Sequence, residues 1–264
     1  MKNLAALLLL SSSLVGCLKK DTSDSPDSAA AAADSQEAVG DEADIVTASV
    51  DASGTVTASI DAPSVATTIA ANLAAKWPGA CAVATASGAN VTVTYNDCTG
   101  PYGLVHVTGE LDLAISITAQ GALAVHATAT DLEVNAATLD FTADGTLSAS
   151  GTMKTLSVTA NGTGTGPRGN AIDHNGAYTI TWDSSSTCRS IDGSWSTDLT
   201  SPVATAERAN TVDLMRCGAS CPTGTLAHKF LGGSTLTVTF DGTASATWSS
   251  SLNLSGTIAL DCTP

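Results

Sequence analysis

From Gly103 to Thr118 the chain alternates at a period of two. Val105, Val107, Leu111, Leu113, Ile115 and Ile117 are apolar, and His106, Thr108, Glu110, Asp112, Ser116 and Thr118 are polar. That period describes a long strand with one dry and one wet face, and it does not fit a helix, whose period is 3.6. The pattern returns in Leu123 and Val125 against His126, Thr128 and Thr130. It returns again in Leu156–Val158, Tyr178–Trp182, Leu236–Phe240, Ala244–Trp248 and Leu254–Cys262. Between these runs stand Gln120-Gly121, Asp144-Gly145, Asn161-Gly162, Asn175-Gly176, Asp192-Gly193, Gly232-Gly233 and Asp241-Gly242. Such pairs accept the positive φ of tight hairpin turns, so each is expected to mark one. Strands joined by hairpins rather than helices give an antiparallel sheet. The expected fold is mainly all-β: one antiparallel curved sheet, a sandwich or half-barrel of about 11–13 strands, with one N-terminal helix.

The helix is expected just after Pro63. Val65, Ile69, Leu73 and Trp77 recur every four residues as one apolar stripe, Ser64 is the candidate N-cap, and Pro78-Gly79 is a stop. Aromatic residues make up only 4% of the chain, so the core is built largely from small side chains and needs staples. Cysteines supply them. Setting Cys17 aside, Cys81, Cys98, Cys188, Cys217, Cys221 and Cys262 are an even set, which in an exported domain reads as three disulfides. Cys81 pairs with Cys98, as the two in the first half. For the other four, Cys188–Cys217 with Cys221–Cys262 competes with Cys217–Cys221 and Cys188–Cys262. A metal or redox reading of Cys217-Gly218-Ala219-Ser220-Cys221 lacks the second pair or the histidines that zinc sites need.

The 264 residues divide into 1–16, 17–62 and 63–264. The middle part carries Asp21, Asp24, Asp27, Asp34, Glu37, Asp41, Glu42, Asp44 and Asp51 among Ala, Ser and Thr, with little hydrophobic mass. By composition it is expected to be a disordered acidic tether, extended by its own repulsion. The formal net charge is −15, and the ten Lys and Arg are scattered. No basic patch is present to neutralise phosphates, so nucleic-acid binding is not expected.

Candidate chemistry is sparse. His106 and His126 fall on the wet face by parity and read as solvated histidines. Asp173 and His174 lie in what reads as the longest loop, Gly162–Asn175, near Arg168. They are the weak binding candidates, since loops carry function more often than scaffolds do. The stretch Gly162-Thr163-Gly164-Thr165-Gly166-Pro167-Arg168-Gly169 lacks the Lys-Ser/Thr ending of a phosphate loop. Serine is abundant without a nucleophile elbow, and Glu110 and Asp112 share one wet strand face without a cleft. No catalytic residue, metal ligand or cofactor is assigned.

The first residues give an address. Lys2 forms a positive n-region, Leu4–Leu10 an apolar h-region, and Leu14-Val15-Gly16-Cys17 follows. The apolar run is far short of the roughly 20 residues that a spanning helix needs. Leu14-Val15-Gly16-Cys17 resembles the lipobox of bacterial lipoproteins. That resemblance implies diacylglyceryl transfer to the Cys17 thiol, cleavage before Cys17 and a third acyl chain, such as palmitate, on the new amino terminus. Leu18 is not the Asp associated with inner-membrane retention, so an outer-membrane location in the cell envelope is expected. The mature part resembles no family. The expected partners are the membrane, through the anchor, and a protein or glycan. The expected role is a non-enzymatic structural, adhesive or binding module, with a lipid or small-ligand carrier, or an envelope hydrolase around His174, as alternatives.

Overall fold

The computed structural model describes residues 26–54, 61–100, 104–199, 205–218, 220–230, 234–260 and 262. The leader and Cys17 lie outside the described residues. Two helices come first, α1 (Pro26–Asp51) and α2 (Ala62–Lys76), followed by a 3-10 turn at Pro78–Ala80. Thirteen strands follow: β1 (Ala82–Ser87), β2 (Asn90–Cys98), β3 (Val107–Ile117), β4 (Leu123–Val134), β5 (Ala137–Ser150), β6 (Met153–Thr165) and β7 (Ala171–Asp183). The last six are β8 (Cys188–Leu199), β9 (Thr205–Cys217), β10 (Thr223–Phe230), β11 (Thr235–Asp241), β12 (Ser245–Ser250) and β13 (Ser255–Ala259). They form one antiparallel sheet in sequence order, with β1 and β13 as its edges, and it does not close into a barrel. The mainly all-β expectation is met. No helix among the described residues is long and apolar enough to cross a membrane.

The period-two pattern controls which face each residue takes. In β5 the buried positions alternate from Ala137 through Leu139, Phe141, Ala143 and Gly145 to Leu147. The β6–β7 ladder runs without a shift from Met153↔Asp183 to Thr165↔Ala171. The stretch from Gly162 to Asn175 is therefore two paired strand ends around a short connection at residues 166–170, not a long loop.

Four expected turns are also strand interior. Asp144-Gly145, Asn161-Gly162, Asn175-Gly176 and Asp192-Gly193 lie within β5, β6, β7 and β8. Their glycines give room for large neighbours. A Cβ on Gly145 would stand 3.0 Å from Leu156, and one on Gly176 would stand 2.5 Å from Cβ of Trp195. Gln120-Gly121 and Asp241-Gly242 do sit at chain reversals, and Gly232-Gly233 lies outside the described residues.

α2 packs its stripe of Val65, Ile69 and Leu73 inward, and Trp77 rests against Tyr95 with ring centroids 4.9 Å apart. Its N-cap is Asp61 rather than Ser64: the Asp61 carboxylate accepts the Ser64 N–H at 2.8 Å, which lets the helix start ahead of Pro63. Three disulfides, Cys81–Cys98, Cys188–Cys217 and Cys221–Cys262, fix the first hairpin, the β8–β9 pair and the C-terminal end. They follow the first of the two pairing schemes.

The acidic segment overturns the tether expectation over Pro26–Asp51. It forms a 26-residue helix, and nearly every described residue of it from Ala29 on is buried in the same core as the sheet. The composition argument treats the segment as isolated. Here alanine supplies helix propensity, and the sheet supplies both the apolar partner and the counter-charges. The concave side of the sheet, the natural place for a lipid or glycan, is filled by this helix.

Gly193→Ala is expected to lower stability by about 1–3 kcal/mol, because the added Cβ would meet backbone atoms of Ala177 and Tyr178 at 2.5 Å. Thermal unfolding of the variant checks this. A melting temperature equal to wild type would contradict the close β7–β8 packing.

Candidate functional site

The chemistry of this chain is concentrated along α1. Asp34, Glu37, Asp41, Asp44 and Asp51 recur at spacings of three and four, with Ala48 in the gap, so they form one stripe down the helix. Glu42 sits one position round. The stripe extends about 25 Å from Asp34 to Asp51. Beyond residue 25 the chain has seven Lys and Arg, and five of them meet this stripe: Lys76, Lys154, Arg168, Arg189 and Arg216.

The N-terminal end of the stripe is held by the β6–β7 connection. Buried Asp34 accepts the Arg168 N–H at 2.9 Å, Arg168 Nη1 at 2.8 Å and Asn170 Nδ2 at 2.7 Å. Arg168 also donates to Glu37 and caps the carbonyl of Ala259 on β13. Gly166 is required here, since a Cβ would collide with the Asp34 side chain. Ser35 exchanges a hydrogen bond with Thr197 at 2.7 Å and accepts from Trp195 Nε1 at 3.3 Å.

The middle holds the most desolvated groups. Asp41 accepts from Asn135 Nδ2 at 2.6 Å and lies 3.8 Å from Arg216. Asp44 contacts Arg189, and Arg216 at 3.4 Å. Burial pushes the Asp41 carboxyl up to about 7, with Arg216 opposing and Glu37 reinforcing the rise. Arg189 is held well below the usual guanidinium range, first by burial and then by Arg216 beside it. Glu42 pairs with His174 Nε2 at 3.0 Å and accepts from the Tyr178 hydroxyl, whose pKa is raised by burial and then by Glu42. At the far end Asp51 takes Lys154 at 2.6 Å, Lys76, and Trp182 Nε1 at 3.3 Å. Burial would raise the Asp51 carboxyl, but the bonds and charges of the two lysines outweigh it and hold it low.

The sequence candidates separate. His174 faces inward from β7, 3% exposed, and contacts Glu42, whereas Asp173 points outward from the same strand. They share no site, because strand neighbours face opposite ways. His106 and His126 are exposed and paired to Asp97 and Asp144 at 2.8 and 2.7 Å. Thr128 Oγ1 lies 3.4 Å from His126 Nε2, beside an outer groove of about 670 Å³ that also includes Asp192. This Asp–His–Thr row resembles a base and its orienting group, but β4 is paired on both sides and offers no free N–H for an oxyanion. Among the described residues no group of three or more His, Cys, Asp and Glu could hold a metal ion.

What sequence reasoning missed is the stripe, and its signal was the 3–4 spacing of the acids. The arrangement defines an open antiparallel meander wrapped round a charged central helix. No family model matches the chain, and neither a curated protein nor a solved structure matches it.

Two outcomes follow for stability. Asp44→Ala removes the carboxylate that contacts the buried Arg189 guanidinium, and the expected loss is about 3–5 kcal/mol by denaturant titration. A loss under about 1 kcal/mol would contradict the pairing. Asp41 binds its proton more tightly when folded, at about 7 against an ordinary 3.8. Its contribution is therefore full below pH 4 and is lost as pH climbs through 7. Asp41→Asn should flatten that fall between pH 4 and 7, and an unchanged pH–stability curve would rule out a raised Asp41.

Proposed function

We propose that this chain is an envelope-anchored bacterial lipoprotein, triacylated on Cys17 and held at the outer membrane, whose mature part is a non-enzymatic binding or structural module. The observation that carries the reading is the stretch Leu14-Val15-Gly16-Cys17, which resembles a lipobox, behind a basic residue and an apolar run. Several acyl chains on one residue give stable anchoring, where a single chain anchors only marginally. Three disulfides support the same address, since such staples persist in oxidising compartments.

The module reading is supported by how the ionisable groups are spent. Cations that could bind substrate or partner on the outside are turned inward to hold α1, and His174, the residue on which a hydrolase reading centred, is enclosed with Glu42 and Tyr178. A carrier reading gains from one observation: the inner wall is at once apolar and cationic. A protein or glycan partner would meet the outer wall, where Thr, Ser, Asp and Glu face water.

Intact mass analysis of the native product tests the anchor. The expected mass is that of a chain beginning at Cys17 with a diacylglyceryl group and one further acyl chain. An intact leader, or a free thiol on Cys17, overturns the reading.

A further inference from the structure

α1 is an unusual core element. It is enclosed, yet its apolar side chains larger than alanine are few, among them Val39, Ile45, Val46 and Val50. It also brings six carboxylates that must leave water, a cost that their ion pairs do no more than offset. Among the described residues it is fastened to the sheet through side chains, with no backbone ladder. Its C-terminal end leads into Ala52, Ser53 and Gly54, the last in the left-handed region at φ 68°.

The wall that it covers has a different character. Phe141, Tyr178, Trp182 and Trp195 are large and buried there, and Lys154, Arg189 and Arg216 are set among them, with Arg168 at the mouth. An apolar trough studded with guanidinium and ammonium groups matches a hydrocarbon tail carrying a carboxylate or phosphate. The sheet is open between β1 and β13, so the trough is not sealed by strand pairing.

We propose that the interior of the sheet is a binding trough for an anionic amphiphile, and that α1 is a displaceable plug whose Asp44, set against Arg189 and Arg216, occupies the position of the ligand's head group. A plug that must leave lowers apparent affinity by the fraction of molecules that are open, so loosening it tightens binding. The proposal rests on the non-enzymatic binding reading and not on the anchor.

The test uses the exported chain carrying Cys17→Ser, which leaves every described residue intact. It is titrated with dodecyl phosphate, laurate and dodecyl maltoside below their micelle concentrations, followed by native mass spectrometry and by tryptophan emission. Trp182 and Trp195 both donate to α1, so displacement changes their surroundings. The anionic probes are expected to bind one to one and the maltoside at least about tenfold more weakly, and the two anions distinguish phosphate from carboxylate recognition. Asp44→Asn, which loosens the plug and keeps every cation, is expected to tighten binding by about tenfold. Ser35→Cys with Thr197→Cys, whose hydroxyls lie 2.7 Å apart, should lock α1 on oxidation and abolish binding, while Ser35→Cys alone should not. Equal binding by locked and unlocked protein, equal binding of anion and maltoside, or no binding of any probe overturns the proposal. Conversion of dodecyl phosphate to dodecanol in the same samples would instead overturn the non-enzymatic reading beneath it.

Discussion

The fold depends on matching six carboxylates of α1, four buried and two half-buried, to cations that project inward from the sheet and from α2. Taken singly, neither side could be buried: an acidic helix in an apolar core and a sheet with guanidinium groups on its dry face are each expensive. Together they form a charged axis inside an apolar shell. The pairing also sets geometry. Asp34 is held past the end of β6 and Asp51 at its start, so α1 runs antiparallel along β6, with Glu42 opposite His174 beside Gly162.

This pairing also sorts charge. Five of the seven Lys and Arg beyond residue 25 turn inward, and the outer wall keeps acids such as Glu110, Asp112, Asp144, Asp173 and Asp192. A chain with net charge −15 thus carries an interior near balance and an exterior that is strongly anionic, which favours solubility and discourages self-association. The sheet's small outward residues, mostly Thr and Ser, suit a solvated wall and leave packing to the inner face.

Much of this was legible locally. Alternation placed the inward and outward residues of β3 and β4, the four-residue stripe placed α2, and the cysteine positions allowed the observed bridges. The misread Asp-Gly and Asn-Gly pairs show why local signals can mislead. Ala143, Gly145 and Leu147 keep one parity, as do His174, Gly176 and Tyr178, so the phase passes through each glycine without resetting. A true turn would have reset it. The helix was harder, because low hydrophobicity and high charge describe a disordered segment when counterions are water-borne. The missing information lay on other strands. Lys154, Arg189 and Arg216 share inward parity with Leu156, Ile191 and Leu214, and an inward cation on a strand requires a buried anion somewhere in the chain.

Amide hydrogen exchange over residues 26–51 of the folded chain tests the charged axis most directly. Burial inside the sheet predicts protection far above that of a free peptide, persisting for minutes to hours. Exchange at the rate of a free peptide across this segment would show an unstructured tether, and the central helix would be wrong.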